Sequence, residues 1–192
     1  MHHDHDLAIT PDERKRLTQH LAETRDRLLR GTRGLTREQL DYKPAPDRWS
    51  VAENLEHLTI AENRVLHSRI EEVLRGPADP AKRSAWEGRE EALMEVVVKR
   101  DPRFQAPEFV QPTGQWSHEE LFRQLEAARG RTMEFAATTN AGLRKYFFPH
   151  PVFGELDCYQ WLLIAGSHFD RHRLQIEEIV ADANFPRAAV AV

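Results

Sequence analysis

The chain has 192 residues, which is enough for one domain with a substantial buried core. It carries 27 Lys and Arg against 31 Asp and Glu, so its formal net charge is −4, and these charges are spread along the chain. A nucleic-acid-binding protein would show a basic patch or arm, so this pattern argues against such a protein. The single cysteine, Cys158, excludes an internal disulfide framework and favours the reducing cytoplasm.

No apolar segment approaches the roughly 20 residues that a membrane-spanning helix requires. The first residues, Met1 to Asp6, are polar and acidic, whereas a signal peptide starts basic and then turns apolar. The sequence therefore predicts a cytoplasmic protein without a membrane partner. Histidine is unusually frequent, with ten residues, and the functional hypothesis depends on where these histidines fall.

Four long segments repeat apolar residues at the spacing of a helix that has one buried face. The predicted helices run from Pro11 to Gly31, from Ser50 to Gly76, from Ser117 to Phe135 and from Asp157 to Ala181. The last three open with a capping-box pattern, in which Ser or Asp is followed three residues later by Glu or Gln. Four such helices predict an all-α fold, an up-down four-helix bundle.

About forty proline-rich residues join the second and third predicted helices. A linker between two domains is one interpretation, but it would leave four aromatic side chains exposed to solvent. These side chains are Trp86, Phe104, Phe109 and Trp116. We therefore predict a long crossover that packs on the bundle, with a short helix over Ala92–Val98.

These elements predict a single domain over the whole chain, 1–192, with its core at about 10–182. We expect the two ends, residues 1–8 and Phe185–Val192, to be frayed, because chain ends are poorly ordered unless something holds them.

Two histidines lie on the buried face of the last predicted helix. Their stripe consists of Trp161, Ala165, His168, His172, Ile176 and Ile179. Imidazoles four residues apart point the same way, with Cβ atoms roughly 6 Å apart, which suits a shared metal ion. Two separately hydrogen-bonded core histidines are the alternative, but they would need two buried partners, whereas one cation satisfies both.

A third ligand has to come from the other histidines, because a pair alone is a weak motif. The second helix offers His57, at the edge of its apolar face, and His67, near its far end. His20 on the first helix is the reserve candidate, and a surface position is the alternative for it. His118, at a helix start, is expected to be solvated. His150 lies in a turn before the last helix, either as a structural loop residue or above the site.

Several stretches in order along the chain carry a family resemblance. They are Trp49-Ser50-x-x-Glu53-x-x-x-His57-Leu58, Phe104 to Pro107 with Pro112 to Ser117, His150 to Leu156, and His168-x-x-Arg171-His172-x-x-Gln175-Ile176. Together, over roughly residues 10–182, they resemble the DinB superfamily, also called the DinB/YfiT-like metalloenzymes.

This resemblance implies a four-helix bundle in which His57, His168 and His172 hold a divalent metal ion. It also implies a homodimer, since members of the family often form one. Family members with known activity include transferases that use low-molecular-weight bacterial thiols such as bacillithiol, a mycothiol-dependent isomerase, and ergothioneine-pathway enzymes with a DinB-like part.

Three imidazoles leave a coordination position open, which is the catalytic pattern for zinc, and they also suit nickel and iron. The first hypothesis is therefore a metal-dependent enzyme. The family resemblance implies that it is a thiol S-transferase, which activates a low-molecular-weight thiol against a small electrophile. The alternatives are a metal-dependent hydrolase, a non-enzymatic metal-binding stress-response protein, and a metal-free dimerisation module whose three histidines lie apart. Under either enzyme hypothesis, transferase or hydrolase, the binding partner is a small-molecule substrate.

Further side chains are candidates for contacts around the metal or the substrate. Glu53 either orients His57 or serves only in the capping box, and Gln175 could reach toward the site. Arg171 either holds an anionic substrate group or pairs with another helix. Cys158 heads the last helix, where a thiolate would be favoured, but we expect it to be a core residue.

Overall fold

The computed structural model describes residues 9–99 and 105–187, and these form a mostly helical fold. Its helices are α1 (Pro11–Thr32), α2 (Arg37–Asp41), α3 (Val51–Ala61), α4 (Ser68–Leu74), α5 (Glu90–Val98), α6 (His118–Thr138) and α7 (Cys158–Val180). A π-helical turn, Glu62–His67, joins α3 to α4 into one continuous rod. None of the described helices combines the length and the apolar composition that crossing a bilayer requires.

The helix starts follow from local capping chemistry. The predicted boxes at Ser50 and Asp157 are complete, and a further box at Thr10 opens α1. The predicted box at Ser117 is only half made: its side chain accepts from the Glu120 amide, but the Glu120 carboxylate binds Arg123 and Gln124 instead. One satisfied amide is still enough to start α6.

Four long helices enclose the core, because α1 and α3 each pack against both α6 and α7. Their buried apolar side chains divide into two clusters. On α7, Ile164 belongs to the first cluster and Phe169 to the second. The buried polar residues between these levels include Thr24 on α1, Glu62 in the π turn, Arg129 on α6 and Ser167 on α7. We call these four residues the polar layer. The up-down order of the helices stays a prediction.

The segment between α4 and α6 is described over residues 75–99 and 105–117. The short helix predicted there is α5, which packs against α7. Trp86 donates from Nε1 to the Phe153 carbonyl at 3.1 Å, so this aromatic residue is packed as predicted. The prediction is wrong for Phe109, which is 59% exposed, and Phe104 lies outside the described residues.

Two further expectations need correction. The turn predicted before the last helix is an antiparallel hairpin of β1 (Phe147–His150) and β2 (Gly154–Asp157), in which Phe148 pairs with Leu156. The predicted fraying from Phe185 onward is wrong for the first residues of that stretch. Phe185 packs edge-on against Tyr42 at 5.5 Å, and the next carbonyl accepts from Gln39. Residues 1–8 and 188–192 lie outside the described residues.

The tight contact between α1 and α7 at Gly166 gives a testable prediction. A Cβ atom added there would lie 2.3 Å from the His20 ring, which is held by the Leu163 carbonyl at 3.1 Å and by Ser167. We expect Gly166→Ala to lower the free energy of unfolding by about 1–3 kcal/mol, since the ring has to leave its partners. The measurement is chemical denaturation followed by circular dichroism.

Gly130 on α6 is the matched control, because nothing lies within 4 Å of a Cβ atom added there. Gly130→Ala should be neutral or stabilising by up to about 1 kcal/mol, since alanine favours a helix interior over glycine. Equal effects of the two substitutions would contradict the packing argument.

Candidate metal centre

Three histidines from two helices converge in the structure. His57 lies on α3, and His168 and His172 lie one turn apart on α7, so that all three are brought together as predicted. His168 Nε2 lies 3.3 Å from His57 Nε2 and 3.0 Å from His172 Nε2. Within the described part of the chain, these three form the group whose ligand atoms could hold a metal ion. His57 and His172 are buried, and His168 is half-buried.

The second nitrogen of two of these rings is occupied. His57 Nδ1 donates to the Val110 carbonyl at 2.8 Å, and His172 Nδ1 donates to Asn54 Oδ1 at 2.8 Å. The Asn54 amide group donates to the Ser50 carbonyl at 2.7 Å, which fixes its oxygen toward His172. Both rings therefore carry their proton on Nδ1 and turn the Nε2 lone pair toward His168.

This donor set fits a divalent cation. A tetrahedral ion with metal–nitrogen distances of about 2.0–2.1 Å separates its ligand atoms by about 3.3 Å. The two Nε2 separations, 3.3 and 3.0 Å, match that spacing. Without a cation, lone pairs on neighbouring buried nitrogens repel one another unless a proton lies between them.

Burial keeps the rings of His57 and His168 neutral, which a metal ligand requires. It lowers the pKa of His57 below its usual range, although the hydrogen bond to the Val110 carbonyl opposes this. Burial also lowers the pKa of His168 well below its usual range, and the nearby His57 and Arg171 act in the same direction.

Glu56 holds the loop that supplies the Val110 carbonyl, and the sequence argument missed it. Its buried carboxylate accepts from the Thr113 amide at 3.1 Å, the Thr113 hydroxyl at 3.0 Å and the Gly114 amide at 2.8 Å. Burial alone would raise the pKa of Glu56, but these hydrogen bonds outweigh it and hold the pKa below its usual range. Glu56 therefore anchors the loop beside the ligand that follows it in the chain.

A buried ion pair forms part of the polar layer beside the histidines. Arg129 Nε lies 3.2 Å from Glu62 Oε1, and their side chains are 0% and 3% exposed. Arg129 also donates to the Ala165 carbonyl at 3.0 Å and stacks on the Phe169 ring. Glu62 belongs to the π turn, an irregularity that is frequent near functional sites.

Glu53 does not orient His57. Its carboxylate accepts from the Ser50 amide at 2.7 Å and pairs with Lys43 at 2.9 Å, so it serves the capping box alone. The acceptors that hold the two ligand rings are Val110 and Asn54 instead. Asn54 has a signal in the sequence, since it is a polar residue one turn before His57. The Val110 carbonyl has none, because every residue offers one.

Three other described histidines, His20, His67 and His118, lie away from the cluster. His20 contacts the Leu163 carbonyl, His67 contacts the Thr132 hydroxyl at 3.0 Å, and His118 binds Asp41 at 2.7 Å. The last contact corrects the expectation that His118 is simply solvated. His20 is therefore not the third ligand of this cluster.

His150, Arg171 and Gln175 all line the cavity in front of the cluster. Arg171 donates to the Val97 carbonyl at 3.1 Å and to the Lys99 carbonyl, so it ties the end of α5 to α7. These contacts connect Arg171 to another helix, as one of its two interpretations predicted. Cys158 is fully buried, and burial raises the pKa of its thiol to about 12, which confirms it as a core residue.

His150 holds the hairpin turn. Its Nδ1 accepts from the Val152 amide at 3.1 Å and the Phe153 amide at 3.3 Å, so the neutral ring carries its proton on Nε2. The ring packs on Phe153 and Trp161, and burial lowers the pKa of His150 to about 4.

The cavity has a volume of about 880 Å³, which falls in the range of small-molecule sites. All three clustered histidines line it, as does Trp49, whose ring lies 4.9 Å from that of His57. The possible metal position is therefore in the wall of a cavity that a substrate could enter.

The chain is similar to known proteins over most of its length. Residues 20–176 match the DinB superfamily. The chain is 30% identical over 151 residues to the uncharacterized protein YuaE of Bacillus subtilis, covering 77% of this chain and 86% of that protein.

A solved structure is similar in fold. YfiT from Bacillus subtilis, described as a probable metal-dependent hydrolase with an unusual four-helix bundle topology, matches with a TM-score of 0.57 and 18% identity. The match covers 90% of this chain and 89% of YfiT.

Breaking the buried ion pair of Arg129 and Glu62 should lower the stability of the protein. Arg129→Met would leave the buried carboxyl group of Glu62 without its cation, and we expect a loss of about 3–5 kcal/mol in the free energy of unfolding. The double variant Arg129→Met/Glu62→Leu should recover much of that loss, because no charge then stays buried. Chemical denaturation of the three proteins measures both differences.

The exposed pair of Arg33 and Glu126 is the control, with side chains 60% and 42% exposed. Arg33→Met should cost less than about 1 kcal/mol, since solvent screens such a pair. A double variant as unstable as Arg129→Met would contradict the argument.

The lowered pKa of His150 predicts a pH dependence. The folded ring titrates near pH 4 and the unfolded ring near 6.5, so the unfolded chain binds the proton more tightly. This contribution to stability is present above about pH 6.5 and is lost as the pH falls toward 4.

His150→Asn keeps an acceptor for the turn amides but does not titrate. Relative to this variant, the wild-type protein should lose stability between pH 6.5 and 4 in denaturation curves. Parallel curves for the two proteins over that interval would show that the ring is not buried as a neutral group.

Proposed function

Because this chain belongs to the DinB superfamily and clusters three histidines in a cavity wall, we propose that it is a divalent-metal-dependent enzyme acting on a small molecule. The observation that carries the proposal is the convergence of the Nε2 atoms of His57, His168 and His172. Three neutral imidazoles leave one or more coordination positions open, as in catalytic rather than structural sites.

The chain's own residues prepare the site. Asn54 and the Val110 carbonyl hold the rings of His172 and His57 in the tautomer that binds a metal. A bound zinc, nickel or iron(II) ion would lower the pKa of a coordinated water or thiol and polarise a carbonyl group.

Two reactions fit this site, and a low-molecular-weight thiol transfer is the first. Among the described residues that line the cavity, the carboxylates are Asp47 and Glu62, and Glu62 is paired with Arg129. A hydrolase often uses a free carboxylate as general base, whereas a thiol held as thiolate needs none. This scarcity of free carboxylates favours a thiol S-transferase that acts on a small electrophile.

Hydrolysis is the second candidate, supported by the likeness to YfiT, which is described as a probable metal-dependent hydrolase. In this hypothesis the Nε2–H of His150 could donate a hydrogen bond to an oxygen of the substrate, since its Nδ1 accepts from the turn amides. We further propose that the protein is a homodimer, as the family resemblance implies, and that it acts in the cytoplasm, which its single cysteine favours.

The first test is metal content. A chain lacking residues 1–8, which removes three histidines of the N-terminus, should bind about one divalent ion per chain in calorimetric titration and elemental analysis. His168→Gln should abolish this binding. Asn54→Leu should weaken it by about 10- to 100-fold, because His172 loses the acceptor that orients it.

His20→Gln is the matched control, since this partly buried histidine lies outside the cluster. It should leave the metal content unchanged. Equal metal content in His168→Gln would refute the proposed site.

The second test is activity. Conjugation of a haloarene to bacillithiol, mycothiol, glutathione and cysteine should be measured with zinc, nickel and iron(II), beside hydrolysis of activated esters and amides. Turnover should vanish in His168→Gln and persist in Cys158→Ala, because Cys158 is a buried core thiol. Metal binding without either reaction would favour the non-enzymatic metal-binding protein.

A further inference from the structure

The mouth of the cavity gathers the exposed apolar side chains of the protein. Four large apolar side chains are exposed among the described residues: Val96, Phe109, Val152 and Val180. The first three line the cavity, and Val180 does not. We call Val96, Phe109 and Val152 the apolar collar.

The three residues of the apolar collar come from separate segments of the chain. Val96 lies on α5, Phe109 in the 3₁₀ turn Glu108–Val110, and Val152 in the turn between β1 and β2. Their exposures are 38%, 59% and 45%. Each therefore leaves apolar surface in contact with water, which is less favourable in free energy than burying it. Exposed apolar groups that meet from separate segments are typical of a binding surface.

An apolar wall continues from the collar toward the histidines. Each collar residue is followed in the chain by a further cavity-lining residue, which is Val97, Val110 or Phe153. Val97 and Val110 are buried, and the carbonyl of Val110 accepts from His57. Trp161 and Ile164 line the cavity on α7. A bound molecule could therefore touch apolar groups from the mouth to the ligand cluster.

The arginines in the cavity wall are engaged elsewhere. Arg48 pairs with Glu178 at 3.5 Å, Arg171 donates to two carbonyl groups of the protein, and Arg129 is held by Glu62. A substrate with several phosphates or carboxylates would have to break these contacts. The wall therefore favours a molecule with few negative charges.

We propose that the substrate carries an apolar group, an alkyl chain or an aromatic ring, that packs on the apolar collar while its polar end lies at the three histidines. This inference rests on the proposed function, since it assumes that the reacting end is directed to the metal. The collar then selects substrates by the size of their apolar group, and the histidines select the chemistry.

A series of alkyl hydroxamates tests the inference, because the hydroxamate head binds metal ions and the tail can be varied. The zinc-loaded protein should bind acetohydroxamate, and calorimetry should show tighter binding with butyl, hexyl and octyl tails. Full burial of one methylene corresponds to about a fourfold gain in affinity, so a partly open collar should give about twofold to fourfold per methylene.

The variant Phe109→Ser/Val152→Ser should flatten this gain and leave acetohydroxamate binding unchanged. The fold should tolerate it, since both side chains are exposed and the Phe109 backbone is held separately by Arg64, which donates to its carbonyl at 3.1 Å. Val180→Ser is the matched control, because it removes an apolar side chain of similar exposure, 39%, outside the cavity. It should leave the whole series unchanged.

A metal-independent probe separates this inference from the proposed function. The neutral fluorophore N-phenyl-1-naphthylamine should bind the metal-free protein, and its affinity should fall severalfold in Phe109→Ser/Val152→Ser but not in Val180→Ser. If acetohydroxamate does not bind but the fluorophore affinities change as expected, the metal proposal is wrong and the proposal that the collar binds an apolar group is supported.

Three outcomes would overturn the collar proposal. Hydroxamate affinity could be independent of tail length, or the collar variant could bind every probe as tightly as the wild type. Size-exclusion chromatography with light scattering could also show that the collar substitutions dissociate a dimer. In that case a second copy of the chain covers the collar.

Discussion

The desolvation of imidazole rings inside a helical bundle is the constraint on which the rest of this structure depends. A buried ring nitrogen needs a partner, and His57 and His172 take theirs from the Val110 carbonyl and from Asn54. The first partner lies outside the long helices, so the loop that carries Val110 has to be held against α3. The Glu56 carboxylate does this by gathering the amides of the loop. One requirement of the site thus determines how the connection between α4 and α6 packs.

The same constraint divides the core. The two apolar clusters are separated by the polar layer, whose members are Thr24, Glu62, Arg129 and Ser167. Packed apolar side chains would stabilise this level of the bundle at least as well, because burying an ion pair costs desolvation. Its position beside the histidines, and beside a π turn, indicates that stability was not the only requirement at this level.

The parts of the fold set by local interactions could be predicted from the sequence. The starts of α3 and α7 follow from capping side chains at Ser50 and Asp157, and the buried stripe of α7 follows from the spacing of its apolar residues. His168 and His172 could be paired because a helix fixes their relation. His57 needed the family resemblance, since its helix offered two histidines and only the tertiary fold chooses between them.

Interactions between distant segments could not be predicted in this way. The hairpin of β1 and β2 joins two segments of four residues each, too short to show a clear alternation. The Val110 carbonyl carries no side-chain signal. Phe109 was expected in the core because aromatic residues usually are, and its exposure at the cavity mouth depends on three segments that meet only in the folded chain. The pairing of Glu62 with Arg129 joins residues 67 positions apart, and no pattern in the sequence predicts it.

The hydrogen bond from His57 to the Val110 carbonyl links two equilibria. When the loop that carries Val110 is ordered, its carbonyl holds the His57 ring in the orientation that binds a cation. A cation bound to His57 would in turn stabilise the ordered loop. Linkage is reciprocal, so the factor by which an ordered loop tightens metal binding is the factor by which the metal favours the ordered loop. Phe109 lies in the same turn, so a cation bound by the proposed site would be thermodynamically coupled to the shape of the cavity mouth. The supply of metal would then influence how easily a small molecule enters the cavity.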